Sequence, residues 1–190
     1  HSGDFEEVGW ILNKFRAQHT GPLFAIGISL GGNALMRWAG EMAHTAGLVV
    51  NRVASICSPI DLMASGHAID RGFNKAIYAR MFLSTMKPRA MQKLQQFPGL
   101  FDPHELMLAN TLYAFDDVFT APLHGFKNTD DYWGRASAKA GLARVQVPAL
   151  VLNARNDPFI PASCLPTQDQ VSEYVTLWQP ETGGHVGFVS

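Results

Sequence analysis

The spacing of apolar and polar positions changes several times along the chain, and each change marks an element. Phe5, Val8, Ile11, Leu12 and Phe15 recur at helical spacing behind Asp4, Glu6 and Glu7, which predicts an opening helix with Ser2 placed to cap it. After Gly21-Pro22 comes a short run over 23–28, apolar on both faces and too brief for a helix, which predicts a buried parallel strand. Ala34, Leu35, Trp38, Ala39 and Met42 then return every three or four positions, predicting a helix over 33–43. Val50, Val53 and Ile56, without a helical stripe, predict a second strand over 49–57, so that strand, helix and strand form a crossover unit.

Between 61 and 140 the pattern turns to helical segments rich in Met, Phe and Leu, interrupted by Pro88, Pro98, Pro103 and Pro122. Strand patterns resume at 147–153 and 174–178, each followed by a polar or glycine-rich loop. The expectation is an α/β fold with a partial, mostly parallel sheet: core segments 1–60 and 141–190, separated by a helical cap insertion at 61–140. Charge within the insertion is uneven, the basic residues falling over 61–100 and the acidic ones over 101–131. Two readings stand side by side: helical pieces that attract each other or face water, and a cap whose basic face meets anionic lipid. Apolar residues such as Met63, Phe73, Met81, Phe97 and Leu106 fit either an acyl pocket or ordinary helix packing.

Composition narrows the function classes. With 190 residues, 47% hydrophobic and 16% charged, the chain has the makings of a real core and is not a disordered segment. A net charge of -1 offers no general field for nucleic acid. No apolar run reaches the roughly 18 residues of a membrane span, and no signal-peptide pattern is visible. The two cysteines, Cys57 and Cys164, are too few and too far apart for a disulfide scaffold or zinc site, so a reducing, cytoplasmic setting is expected. The first residue is His1, and the chain opens directly into a helical pattern, which reads as the middle of a larger protein.

Gly27-Ile28-Ser29-Leu30-Gly31 matches G-x-S-x-G between a predicted strand and a predicted helix, where a sharp turn lifts the serine hydroxyl above the sheet edge. Small residues two positions either side are expected to make room for that turn. A hydroxyl is a poor nucleophile unless a base accepts its proton and a carboxylate orients the base. Asp157 follows the 147–153 strand in Asn156-Asp157-Pro158-Phe159, where open α/β sheets build their sites. His185 follows the next strand in Gly183-Gly184-His185-Val186-Gly187-Phe188, completing the order Ser, Asp, His. Asp61 is a rival acid after Ser58-Pro59; Asp157 is preferred because Asp61 begins the helical insertion, where a short acid caps a helix. Leu30, the residue after the serine, can offer its backbone N–H to an oxyanion. Histidines 1, 19, 44, 67, 104 and 124 read as solvated or packing residues. No cofactor or metal is implied, since no ligand spacing or phosphate loop occurs.

Taken together, these stretches, with His1-Ser2-Gly3-Asp4, Ser58-Pro59-Ile60-Asp61-Leu62 and Tyr132-Trp133-Gly134-Arg135-Ala136-Ser137, resemble the YheT-like branch of the α/β-hydrolases. That branch holds carboxylesterases and lipid hydrolases related to abhydrolase-domain lipases. The resemblance implies Ser29 as nucleophile, Asp157 as orienting acid and His185 as general base. It further implies cleavage of carboxylic esters through an acyl-enzyme, on short- or medium-chain acyl esters, acylglycerols or phospholipids. An acyltransferase using the same residues, or a non-catalytic interaction module on this scaffold, are the alternatives. Family members carry earlier strands, a loop supplying a second oxyanion donor, and a last helix, so the chain is expected to be a fragment of low activity by itself, with any membrane anchor in the preceding part.

Overall fold

Four short strands, β1 (Phe24–Ile28), β2 (Arg52–Ile56), β3 (Ala149–Leu152) and β4 (Val175–Trp178), form one parallel sheet in the order β1-β2-β3-β4. The structure is a computed structural model that describes residues 1–188. It divides into two compact units: His1 with Met63–Arg135, and Ser2–Leu62 with the chain from Ala136 onward.

The second of these holds the sheet. Its two longer helices, α1 (Phe5–Gln18) and α2 (Leu30–Met42), pack with the strands around a core in which Met36, Trp38, Val50, Leu142, Val147 and Val151 are at most 1% exposed. Each such side chain contributes about 1.5–3 kcal/mol on burial. Asp4, not Ser2, caps α1, its carboxylate accepting the Glu7 N–H at 3.0 Å. The second strand begins three residues later than its apolar pattern suggests, because Ala46–Val49 closes as a helical turn that buries Val49 against the core. The run 23–28 is covered on one face only. Phe24, Ile26 and Ile28, which alternate onto one face, are 60%, 69% and 54% exposed; β1 is also the sheet edge, and no strand pairs with its outer side among the described residues. Asn33 binds the unit's distant segments together: its amide donates to the carbonyls of Ser2 and Ala136, and its side-chain carbonyl accepts the Ala138 N–H at 2.9 Å. A fully buried amide is tolerated because these three bonds satisfy it.

The other unit is helical throughout its secondary structure. Gly72–Asn74 runs through a π-turn, Lys75–Ala79, into Arg80–Gln96, and Leu112–Phe115 runs through a second, Asp116–Thr120, into Ala121–Leu123. Leu83, Ala90, Leu106, Ala109 and Phe115 form its buried cluster. Pro88 lies inside the long helix instead of ending it, Pro103 occupies a helix start behind the Asp102 cap, and Pro122 falls in a first turn. The Asp70 carboxylate accepts the N–H groups of Leu112 and Tyr113 at 2.7 and 2.9 Å, and so caps the start of the distant Leu112–Phe115 helix. No helix among the described residues is long and apolar enough to cross a membrane.

Trp133 donates its indole N–H to Asp116 at 2.8 Å, and burial pushes the Asp116 carboxyl up to about 6. The Thr120 and Trp133 hydrogen bonds oppose that shift, and the nearby Asp70 charge adds to it. A raised folded value means that the fold favours the neutral acid. Its support is complete below the ordinary value of 3.8 and is lost as pH rises through about 6. The variant Asp116→Asn keeps a carbonyl for the Trp133 N–H and removes the titration. Its thermal stability is expected to vary less with pH across this window, and to equal or exceed that of the unsubstituted protein at about pH 7; melting curves over a pH series check this.

Candidate active site

The turn between β1 and α2 forces Ser29 into a backbone conformation, φ 53° and ψ -129°, that side-chain-bearing residues avoid. Such strain costs on the order of 1–3 kcal/mol. Neighbouring bonds hold it: the Ser29 N–H donates to Ile56 O at 2.9 Å, and the Gly32 N–H donates to Ser29 O at 3.0 Å. The glycines around it differ in purpose. A methyl group on Gly27 would come within 2.5 Å of Gly31 O, and one on Gly32 within 1.8 Å of Ser58 Oγ, whereas one on Gly31 would meet nothing within 4 Å. Room for the turn therefore depends on Gly27 and on Gly32, one position beyond the motif's last glycine. Leu30 is the first residue of α2, where a backbone N–H has no intrahelical acceptor.

Asp157 lies in the loop after β3, 6% exposed, with Oδ1 accepting the Phe159 N–H at 2.9 Å. Its Oδ2 is 2.8 Å from His185 Nδ1, and His185 Nε2 is 3.1 Å from Ser29 Oγ. An ionised carboxylate can only accept, so in the neutral imidazole Nδ1 carries the hydrogen and Nε2 is left to accept from the hydroxyl. The Phe159 ring packs on the imidazole with centroids 4.6 Å apart. The alternative acid, Asp61, faces Lys139 at 3.5 Å. His67 packs against Tyr113 and Trp133, which also touch each other, and His1 packs against His124, Phe126 and Tyr132.

The loop carrying His185 is gripped at both flanks by residues that the sequence pattern did not single out for this purpose. Asn156 Oδ1 accepts the Gly184 N–H at 2.8 Å. Cys57, fully buried at the end of β2 with φ 48°, donates its thiol to Gly184 O at 3.7 Å and accepts the Val186 N–H at 3.3 Å. Burial pushes the Cys57 thiol up, the Asp157 charge adds to this, and the Val186 hydrogen bond opposes it, so the sulfur stays protonated and able to donate. Only the apolar run around Cys57 was visible in the sequence; a contact with a loop about 130 residues away leaves no local signal. Among the described residues no group of three or more His, Cys, Asp or Glu side chains could hold a metal ion.

No family model matches the sequence. The chain is 31% identical over 192 residues to "Putative esterase YheT" of Escherichia coli, a match covering 100% of this chain and 56% of that protein. It is 27% identical to phospholipase ABHD3 of Mus musculus, covering 97% and 45%, and 25% identical to the monoacylglycerol lipase of Saccharomyces cerevisiae, covering 99% and 43%. The chain thus spans about half the length of the curated relatives it matches. Among solved structures it resembles an α/β-fold hydrolase of Bacillus anthracis, with TM-score 0.54 at 13% identity over 95% of this chain and 67% of the other. It also resembles the monoacylglycerol lipase of Paleococcus ferrophilus, with TM-score 0.50 at 20% identity over 95% and 66%. Fold and relatives agree: the chain has the α/β-hydrolase fold, and over its whole length it is similar to the YheT-like branch of that class.

Two predictions follow from the packing. Gly32→Ala is expected to destabilise the protein by about 1–3 kcal/mol through overpacking, and Gly31→Ala to change stability by less than about 1 kcal/mol, as read by denaturant melts. Cys57→Ala removes the acceptor of the Val186 N–H, so exchange of that amide is expected to accelerate about tenfold while core amides stay unchanged.

Proposed function

We propose that the chain carries the reacting residues of a serine hydrolase acting on carboxylic esters. Ser29 Oγ attacks the acyl carbon while His185 Nε2 takes its proton, and the carbonyl oxygen gains a negative charge that the Leu30 N–H faces. Collapse of this intermediate expels the alcohol, which receives the proton from His185, and leaves the acyl group on Ser29. Water, giving a proton to the same nitrogen, then attacks the acyl-enzyme, and collapse releases the acid as Ser29 Oγ takes that proton back from His185 Nε2. Asp157 keeps Nδ1 protonated and stabilises the imidazolium that forms twice in the cycle.

The observation that carries this reading is the single imidazole within hydrogen-bond distance of a strained serine on one side and a shielded carboxylate on the other. The relatives described as esterase, phospholipase and monoacylglycerol lipase support acyl esters, acylglycerols or phospholipids as the substrate class. The reading takes 61–140 as the cap insertion between core segments 1–60 and 141–190, and a cytoplasmic setting.

A fluorophosphonate probe is expected to label Ser29 in the protein, with labelling lost in Ser29→Ala and in His185→Ala. Ester turnover is expected to fall roughly 10⁴-fold in Asp157→Asn, which presents the wrong hydrogen-bonding partner to Nδ1. An unlabelled but folded protein, or labelling indifferent to His185→Ala, would remove the hydrolase reading. A product spectrum dominated by acyl transfer to added alcohol would replace it with the transferase.

A further inference from the structure

The helical unit has one face that its own core does not explain. Along the run from Gly72 through the π-turn to Gln96, Leu83 and Ala90 belong to the buried cluster, and Ala79 is buried as well. Phe73, Ile77 and Met81, spaced by four, are instead 72%, 45% and 50% exposed, and Met107 and Leu108 add further exposed apolar surface at 55% and 66%. Exposed phenylalanine, isoleucine and methionine repeated along one helix are more than the scattered apolar residues of an ordinary surface.

Within the same unit lies an open cavity of about 720 Å³, whose lining includes Lys75, Arg80, Ser84, Lys87 and Met107 and no acidic residue. Lys75 Nζ donates to Asn110 Oδ1 at 3.3 Å and Lys87 Nζ to Met107 O at 2.7 Å, which ties two of its cations to other lining residues, Lys87 to the exposed Met107. None of Lys75, Arg80 and Lys87 pairs with a carboxylate among the described residues. Three uncompensated cations in a concave site, on the helix run that exposes an apolar stripe, require a partner both anionic and oily.

We propose that this face docks on the surface of an anionic phospholipid bilayer, the headgroup phosphate seated among Lys75, Arg80 and Lys87 and the side chains of Phe73, Ile77 and Met81 entering the headgroup–acyl boundary. Charge complementarity selects this occupant. A nucleic acid would satisfy the cations and leave the apolar stripe in water, and a second copy of the chain would bring like charges together. The helix lies along the interface and does not cross it. The inference stands apart from ester hydrolysis, because it concerns where the helical unit binds and not what Ser29 does.

Co-sedimentation of the protein with phosphatidylcholine vesicles, with and without roughly a quarter phosphatidylserine, tests it. Binding is expected only to the anionic vesicles and is expected to weaken as salt is raised. The triple variant Lys75→Ala, Arg80→Ala, Lys87→Ala is expected to lose on the order of 10²-fold in partition. The variant Phe73→Ser, Ile77→Ser, Met81→Ser is expected to lose at least tenfold, while far-ultraviolet dichroism stays as in the unsubstituted protein. Equal binding to neutral vesicles, no vesicle binding, or undiminished binding by the folded cationic variant overturns the proposal. Self-association abolished by the apolar variant, without vesicle binding, assigns the face to a second copy. Labelling of Ser29 with no lipid binding would sink this inference alone, and lipid binding without labelling would sink the hydrolase reading alone.

Discussion

The site geometry depends on the backbone of one residue. Ser29 occupies a conformation that costs free energy, and the fold holds it there with a hydrogen bond to β2 on one side and the close approach of Gly27 and Gly32 on the other. The same contact sets where α2 begins, which N–H groups are left without acceptors at its start, and how near α2 comes to Ser55 on β2 and Ser58 just past its end. Were the turn to relax into an ordinary helix start, the hydroxyl would leave the reach of His185 and the close packing of helix on sheet would open.

Parallel pairing then does the assembling. All four strands run the same way in the order β1-β2-β3-β4, so their carboxyl ends share one edge of the sheet. Each strand delivers one member of the constellation just past its end: Ser29 after β1, Cys57 after β2, Asp157 after β3 and His185 after β4. Cys57 and Asn156 fasten the loop of β4 to the loops of β2 and β3, so the imidazole is held through the residues on both sides of it. The arrangement needs no long-range electrostatic steering, because strand spacing and loop length already bring the groups within hydrogen-bond distance.

The helical unit follows other rules. Its prolines and its two π-turns break the simple helical period, which is why apolar spacing there separates buried from exposed positions less cleanly than in α1 and α2. Polar groups carry part of its organisation: Asp70 caps a helix 42 residues away, and Asp116 binds an indole through a carboxyl that burial makes harder to ionise. Its cations and its exposed apolar residues lie on neighbouring parts of one helix run, a juxtaposition to which charge counting along the chain points only in outline.

Much of this was legible in the chain itself. Periodicity found all four strands within a few residues, because a buried parallel strand is a short apolar run that no helix can use, and the turn chemistry of Gly27 through Gly32 marked the serine. The spacing of Asp157 and His185 behind strand ends made them the acid and base to test. The single covered face of β1, the Asp4 cap, the need for Gly32 over Gly31 and the grip of Cys57 on the histidine loop emerged only in three dimensions. Each depends on which atoms from distant segments come within a few ångströms, and a sequence records the order of residues along the backbone without recording those distances.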